Sequence, residues 1–332
     1  MRRSLLLLAL CATACGDDSA PTPAAAPTAL APTAPKEAPL TGLAKAKVAV
    51  AARDHAAALT ELEALFATEP LALPLYGLVA IESGSPGDVL GRLTDEGAPA
   101  GQEAAYHRLR AELALAAGQP ELVAGIAAKI AATSPETAAA LILQARRAGA
   151  IPPEAPTAAE DPFVVAGTNP DPVAAATALA ALSPTDWVAK VVRAPILAAG
   201  GQAALAQADL QNLLDAPPSP EAALRAGQAL AAILPDPNQS ATPLDAAAKA
   251  AIELGATPLA ARLGHEAALR RLKSGRAKEA AEGATALREA LVTAKDKVGA
   301  AELGATLALA ALERGDATTA LTQSLAAWVI WA

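Results

Sequence analysis

A chain of 332 residues can hold two ordinary globular domains or one elongated repeat array. Hydrophobic residues make up 53% of it but aromatics only 2%, so the apolar content is mostly Ala and Leu, which argues against one large core built on bulky side chains. A net charge of −8 argues against nucleic acid and against broad binding to anionic lipid. Ala is the best helix former, so the same bias predicts an all-α chain held by many thin helix-on-helix contacts. The only strand-like run is Phe163-Val164-Val165, in a Pro-rich surround.

The first residues, MRRSLLLLALCATAC, have the layout of a secretory signal, with Arg2 and Arg3 ahead of an apolar Leu5–Leu10. This stretch is too short to span a bilayer as a helix. It ends Ala12-Thr13-Ala14-Cys15, which resembles the bacterial lipobox, a small-residue site cut just before a Cys that becomes lipid-modified. Cys11 fits less well because Leu10 precedes it. The resemblance implies a signal peptide over residues 1–14, lipidation of Cys15 and no disulfide, since Cys11 is discarded. The other reading is an ordinary cleaved signal with a chance Cys. Several acyl chains on one Cys anchor stably where a single chain is marginal. Gly16 stands where inner-membrane lipoproteins carry Asp, which points to the outer membrane of a bacterial envelope. Loss of Arg2 and Arg3 leaves 24 Lys plus Arg against 34 Asp plus Glu, a net charge of −10. The expected membrane contact is therefore the lipid anchor. Residues 15–40, rich in Pro, Ala and Thr, cannot build a core and read as a semi-stiff tether.

From residue 41 onward the pattern is helical hairpins. The clearest is HRLRAELALAAGQPELVAGIAAKIAATSPE, His107–Glu136, where apolar residues recur at three- and four-residue steps on both sides of Gly118-Gln119-Pro120. Pro135 closes the second helix in this reading. Arg53, Gly201, Gly275 and Gly315 mark comparable turns, each with Ala five residues on, and Pro70 and Pro218 sit seventeen residues after the first two. These units resemble tetratricopeptide repeats, whose helix pairs carry small residues at close contacts, a Gly at the turn and a Pro after the second helix. The resemblance implies a right-handed α-solenoid over residues 41–332 that binds partners on its concave face. The match is approximate: the large aromatic early in the first helix is mostly missing, and extra helical material falls at 71–93, 135–150, 171–182, 219–234 and 243–254. Residues 151–172, with six prolines, read as a hinge or a packed loop, and LPDPNQSATP, 234–243, as a second break.

No constellation for catalysis stands out, so the chain is expected to be non-catalytic and to need no cofactor or metal. His55, His107 and His265 fall on separate hairpins, and Leu269 stands where a zinc helix begun at His265-Glu266 needs its second His. No phosphate loop, nucleophile elbow or Ser-Lys dyad spacing occurs. Two stretches carry the candidate partner-binding residues. One is RLGHEAALRRLKSGRAKEAAEG, which gathers Arg262, Arg270, Arg271, Lys273, Arg276 and Lys278 in an acidic chain. It is either a positive patch for an acidic peptide, a carboxylate terminus or a glycan, or a solvated helix end whose cations complement the helix dipole. The other is LAAWVIWA, where Trp328 and Trp331 either pack back on the preceding helix or meet a partner or second copy. Trp187 reads as a core anchor. The expected function is a scaffold for other envelope proteins, or else a binding module for an anionic peptide, glycan or small molecule.

Overall fold

The computed structural model describes residues 40–149 and 162–331. Residues 1–39, with the signal segment, Cys15 and nearly all of the tether, lie outside the described residues, as does 150–161 of the proposed hinge. The described residues form α-helices and short 3₁₀ turns, with no strand among them. Their helices pack on their neighbours in sequence order. Phe163-Val164-Val165 lies within a helix, Pro162–Thr168, which Pro162 opens at its first position.

The first run comprises α1 (Gly42–Ala51), α2 (His55–Glu63), α3 (Ala72–Glu82), α4 (Pro86–Leu90), α5 (Glu103–Ala116), α6 (Val123–Ile130) and α7 (Pro135–Arg147). After α8 (Pro162–Thr168) come α9 (Pro172–Ala180), α10 (Trp187–Ala199), α11 (Ala203–Asp215), α12 (Pro220–Ile233) and α13 (Pro237–Leu254). The last four are α14 (Thr257–Lys273), α15 (Ala277–Thr293), α16 (Lys297–Glu313) and α17 (Ala317–Trp331). Pro135 stands after α6 and opens α7, the helix expected over 135–150, since a missing N–H costs nothing at the first helical position. One expectation is corrected. Residues 237–243 are helix rather than break: Pro237 takes that position in α13, and Asp236 accepts from Asn238 N at 2.8 Å.

The hairpin turns share one mechanism. Gly118, Gly201, Gly275 and Gly315 adopt positive φ, and the residue after each donates to the carbonyl five residues back, as Gln119 N does to Ala114 O at 2.8 Å. Two turns reach the same left-handed geometry without Gly, at Arg53 (φ 61°) and Lys295 (φ 63°). A side chain there costs about 1–2 kcal/mol. In both, the next residue is an Asp that caps the following helix: Asp54 accepts from Ala57 N, and Asp296 from Gly299 N.

These two turns meet. Arg53 donates to the fully buried Asp296 at 2.9 Å, across 243 residues of sequence. Beside them Lys47 Nζ donates to Glu253 O at 3.0 Å, and Arg262 pairs with Glu82 at 3.5 Å. One continuous core accordingly joins Ala46 and Val50 of α1 to Leu224, Leu254, Ala260 and Leu303 of α12–α16. A second core joins α7 to α12 through Phe163, Leu179, Val188, Leu197 and Leu210. Helices α1, α3 and α5 thus reach α12, α13, α14 and the turn ahead of α16.

Such contacts need small residues where backbones approach. A Cβ on Gly227 of α12 would stand 2.5 Å from the Pro243 carbonyl oxygen and 2.9 Å from Ala247 Cβ. Gly125, inside α6, has open space around it. Gly227→Ala is expected to lower unfolding free energy by about 1–3 kcal/mol, whereas Gly125→Ala raises it by about 0.5–1 kcal/mol. Urea denaturation of the two variants checks both signs.

Candidate functional site

Where the first run meets α10 and α12, four charged side chains interlock. Arg108 of α5 donates to both carboxylate oxygens of Glu221 at 2.7 and 2.6 Å, and to Glu112 at 2.9 Å. Arg225 of α12 donates to the other oxygen of Glu112 at 3.1 Å. The Arg108 guanidinium also lies 4.9 Å from the centroid of the Trp187 ring. Burial alone lowers the affinity of Arg108 for its proton, but Glu112 and Glu221 override it and hold the group above the usual arginine range. Beside this network is a cavity of about 240 Å³, lined by Ile81, Leu115, Gln144, Trp187, Val191 and Arg225 among others. Two cations answer two anions, so the place is an electrostatically closed joint. Trp187 is half-buried within it, an anchor that also covers a charge.

A second joint was not foreseen from sequence. Arg193, 2% exposed in α10, donates to Asp209 of α11 and to the Leu179 and Leu182 carbonyls at 3.1 and 2.6 Å. It closes the C-terminal end of α9, where helix carbonyls lack partners. A lone Arg inside the apolar run WVAKVVRAPILAAG was the available signal.

The histidines stay apart. His107 is buried and its Nδ1 lies 3.4 Å from Arg110, whereas His265 is exposed with Nδ1 2.8 Å from the Thr306 hydroxyl. His107 is held below its ordinary pKa of 6.5, by burial first and Arg110 second. Tyr76, fully buried in edge contact with Phe66 at 4.9 Å, is pushed up to about 12 by burial and then by Glu63. No group of three or more His, Cys, Asp or Glu that could hold a metal occurs among the described residues.

The predicted basic residues fall on α14, α15 and the turn between them, and most are engaged. Arg262 pairs with Glu82, Arg270 with Glu266 and the Ala231 carbonyl, and Arg271 with Asp245. Arg276 meets Asn238 and Glu279, and Lys278 faces Glu282 at 3.9 Å; Lys273 is exposed. The face of α16 and α17 differs. Leu321, Leu325, Trp328 and Val329 on α17 are 62%, 53%, 66% and 67% exposed, and Leu309 and Leu312 on α16 are 39% and 58% exposed. Trp328 therefore does not pack back on the preceding helix. The backbone of Trp331 ends α17, and its side chain lies outside the described residues.

Comparison with protein-family models finds none that matches the chain, and comparison with curated proteins finds no match. Among the described residues no helix is long and apolar enough to cross a membrane.

Glu221→Ala is expected to cost about 3 kcal/mol, because it leaves a buried guanidinium short of a carboxylate. Replacing Arg108 and Glu221 together by Met and Leu is expected to cost less than the sum of the single changes, read by urea unfolding of all three variants. A neutral His107 is favoured in the fold, so its contribution to stability is complete above the ordinary pKa of 6.5 and is lost as pH falls below it. Between pH 7 and pH 5 the wild type should lose more stability than His107→Gln in matched thermal melts.

Proposed function

We propose that this chain is a non-catalytic scaffold lipoprotein of the bacterial envelope, anchored through Cys15. In this reading its hairpins form a right-handed solenoid of tetratricopeptide-like units on a tether, in the outer membrane, that scaffolds envelope proteins, with the exposed face of α16 and α17 as a protein contact surface. The observation that carries it is the row Leu321, Leu325, Trp328 and Val329, each more than half exposed. The largest apolar patch on a typical monomer, about 300–600 Å², is itself often a contact site. The lipid anchor rests on the lipobox-like Ala12-Thr13-Ala14-Cys15, and the repeat assignment on the turn and small-residue spacing together with the all-helical array.

The basic residues Arg262, Arg270, Arg271, Lys273 and Arg276 are the competing contact surface, and the cavity beside Arg225 is the competing ligand site. Both have less in their favour. Four of the five cations already have a carboxylate partner, so an acidic peptide must displace it. The cavity's arginine likewise shares Glu112 with Arg108.

Cross-linking in intact membranes separates the surfaces. A Leu325→Lys/Trp328→Lys variant is expected to lose the protein adducts of the wild type, and an Arg270→Glu/Arg271→Glu/Lys273→Glu variant to keep them. The reverse pattern would move the contact to the basic segment and overturn this reading.

A further inference from the structure

The array itself defines what fits the exposed face. Helix α16 lies against both α14 and α15, and His265 of α14 reaches Thr306 of α16. The shift that carries the turn Gly275 onto Gly315 carries His265, Leu269 and Leu272 onto Ala305, Leu309 and Leu312. Helices α16 and α17 therefore present again the groove that α14 and α15 offer to a helix, and among the described residues no helix lies in it. Along α17, Thr318, Leu321, Leu325 and Trp328 follow at alternating steps of three and four. That is the spacing of a seam between helices crossing at a shallow angle.

Area and charge indicate the occupant. At ~150 Å² per side chain, the low end of the range for large side chains, the six exposed residues present roughly 500 Å² of apolar surface. A standard interface takes about 800 Å² from each partner. The fifteen residues of α17, ATTALTQSLAAWVIW, carry no charge, in a chain whose net charge is −8. Two copies of an acidic chain repel over most of their surfaces. A two-fold contact sets one patch against itself, so a charged patch meets like charges and an uncharged one does not. We propose that this face takes a second copy of the same chain, the α16–α17 hairpins of two copies joining about a two-fold axis as an antiparallel four-helix bundle. This rests on the reading of the face as a contact surface and names its occupant.

The test co-expresses two full-length chains bearing different tags and purifies one tag from detergent-solubilised membranes. The other tag is expected to co-purify with the wild type. Leu321→Lys, Leu325→Lys and Trp328→Lys, made singly and placed in both chains, should each cut recovery tenfold or more. Because all three positions are exposed, helical circular dichroism should match the wild type. The triple charge reversal at Arg270, Arg271 and Lys273 should leave recovery unchanged. Absence of the second tag in the wild type, or recovery indifferent to all three lysines, overturns the proposal. If co-purification is absent while membrane cross-links still vanish in the Leu325→Lys/Trp328→Lys variant, the contact face stands with another protein as occupant. If both are indifferent to the lysines, the contact reading fails as well.

Discussion

A core made mostly of Ala and Leu holds little area per contact, and that constraint governs the arrangement of the chain. A hairpin of such helices gains less than one carrying Phe and Ile, so stability has to come from continuity across many helices. The chain meets this by joining α1, α3 and α5 of its first run to α12, α13, α14 and the turn ahead of α16. The ion pair between Arg53 and buried Asp296 joins two hairpin turns that both tolerate a side chain at positive φ. Strain at those turns persists because the contact between the two runs over-determines their geometry.

These contacts alter what the inner face can do. In an open solenoid the first helices of the hairpins line a groove available to a peptide. Here the inward charges Arg108, Glu112, Glu221 and Arg225 are spent on one another and on Trp187. A buried network whose members are satisfied favours a fixed geometry over exchange with an incoming ligand. The basic segment follows the same logic, with arginines tied to carboxylates on neighbouring helices. Uncompensated surface concentrates instead at α16 and α17, where large apolar side chains stand in solvent without a charge on the last helix.

Much of the local structure was legible in the sequence. The break at Gly118, the turn at Arg53 and the helical character of 71–93 and 219–234 follow from periodicity and turn chemistry, which act over a few residues. Proline is ambiguous because it can open a helix as well as stop one: Pro237 sits at a first helical position, a distinction that depends on the capping residue and not on proline itself. The contact between the two runs was not legible, because Arg53 and Asp296 carry no local sign of pairing across 243 residues. For the same reason the choice between a positive patch and a solvated helix end stays open for the basic cluster when it is read in one dimension. Its partners Glu82 and Asp245 lie on other helices. The unusual end of α17 was visible as composition, but whether Trp328 folds back or faces solvent depends on the packing of α16.

The most direct measurement is hydroxyl-radical footprinting of Trp328 in intact cells against the same protein purified and diluted, with Trp187 as the internal reference. If the α16–α17 face is the contact surface, Trp328 oxidises several-fold more slowly in the cell while Trp187, held under Arg108 in both states, is unchanged. Equal oxidation of Trp328 in the two states would contradict it, since a residue 66% exposed cannot be the centre of an occupied interface and remain as accessible as in the free chain.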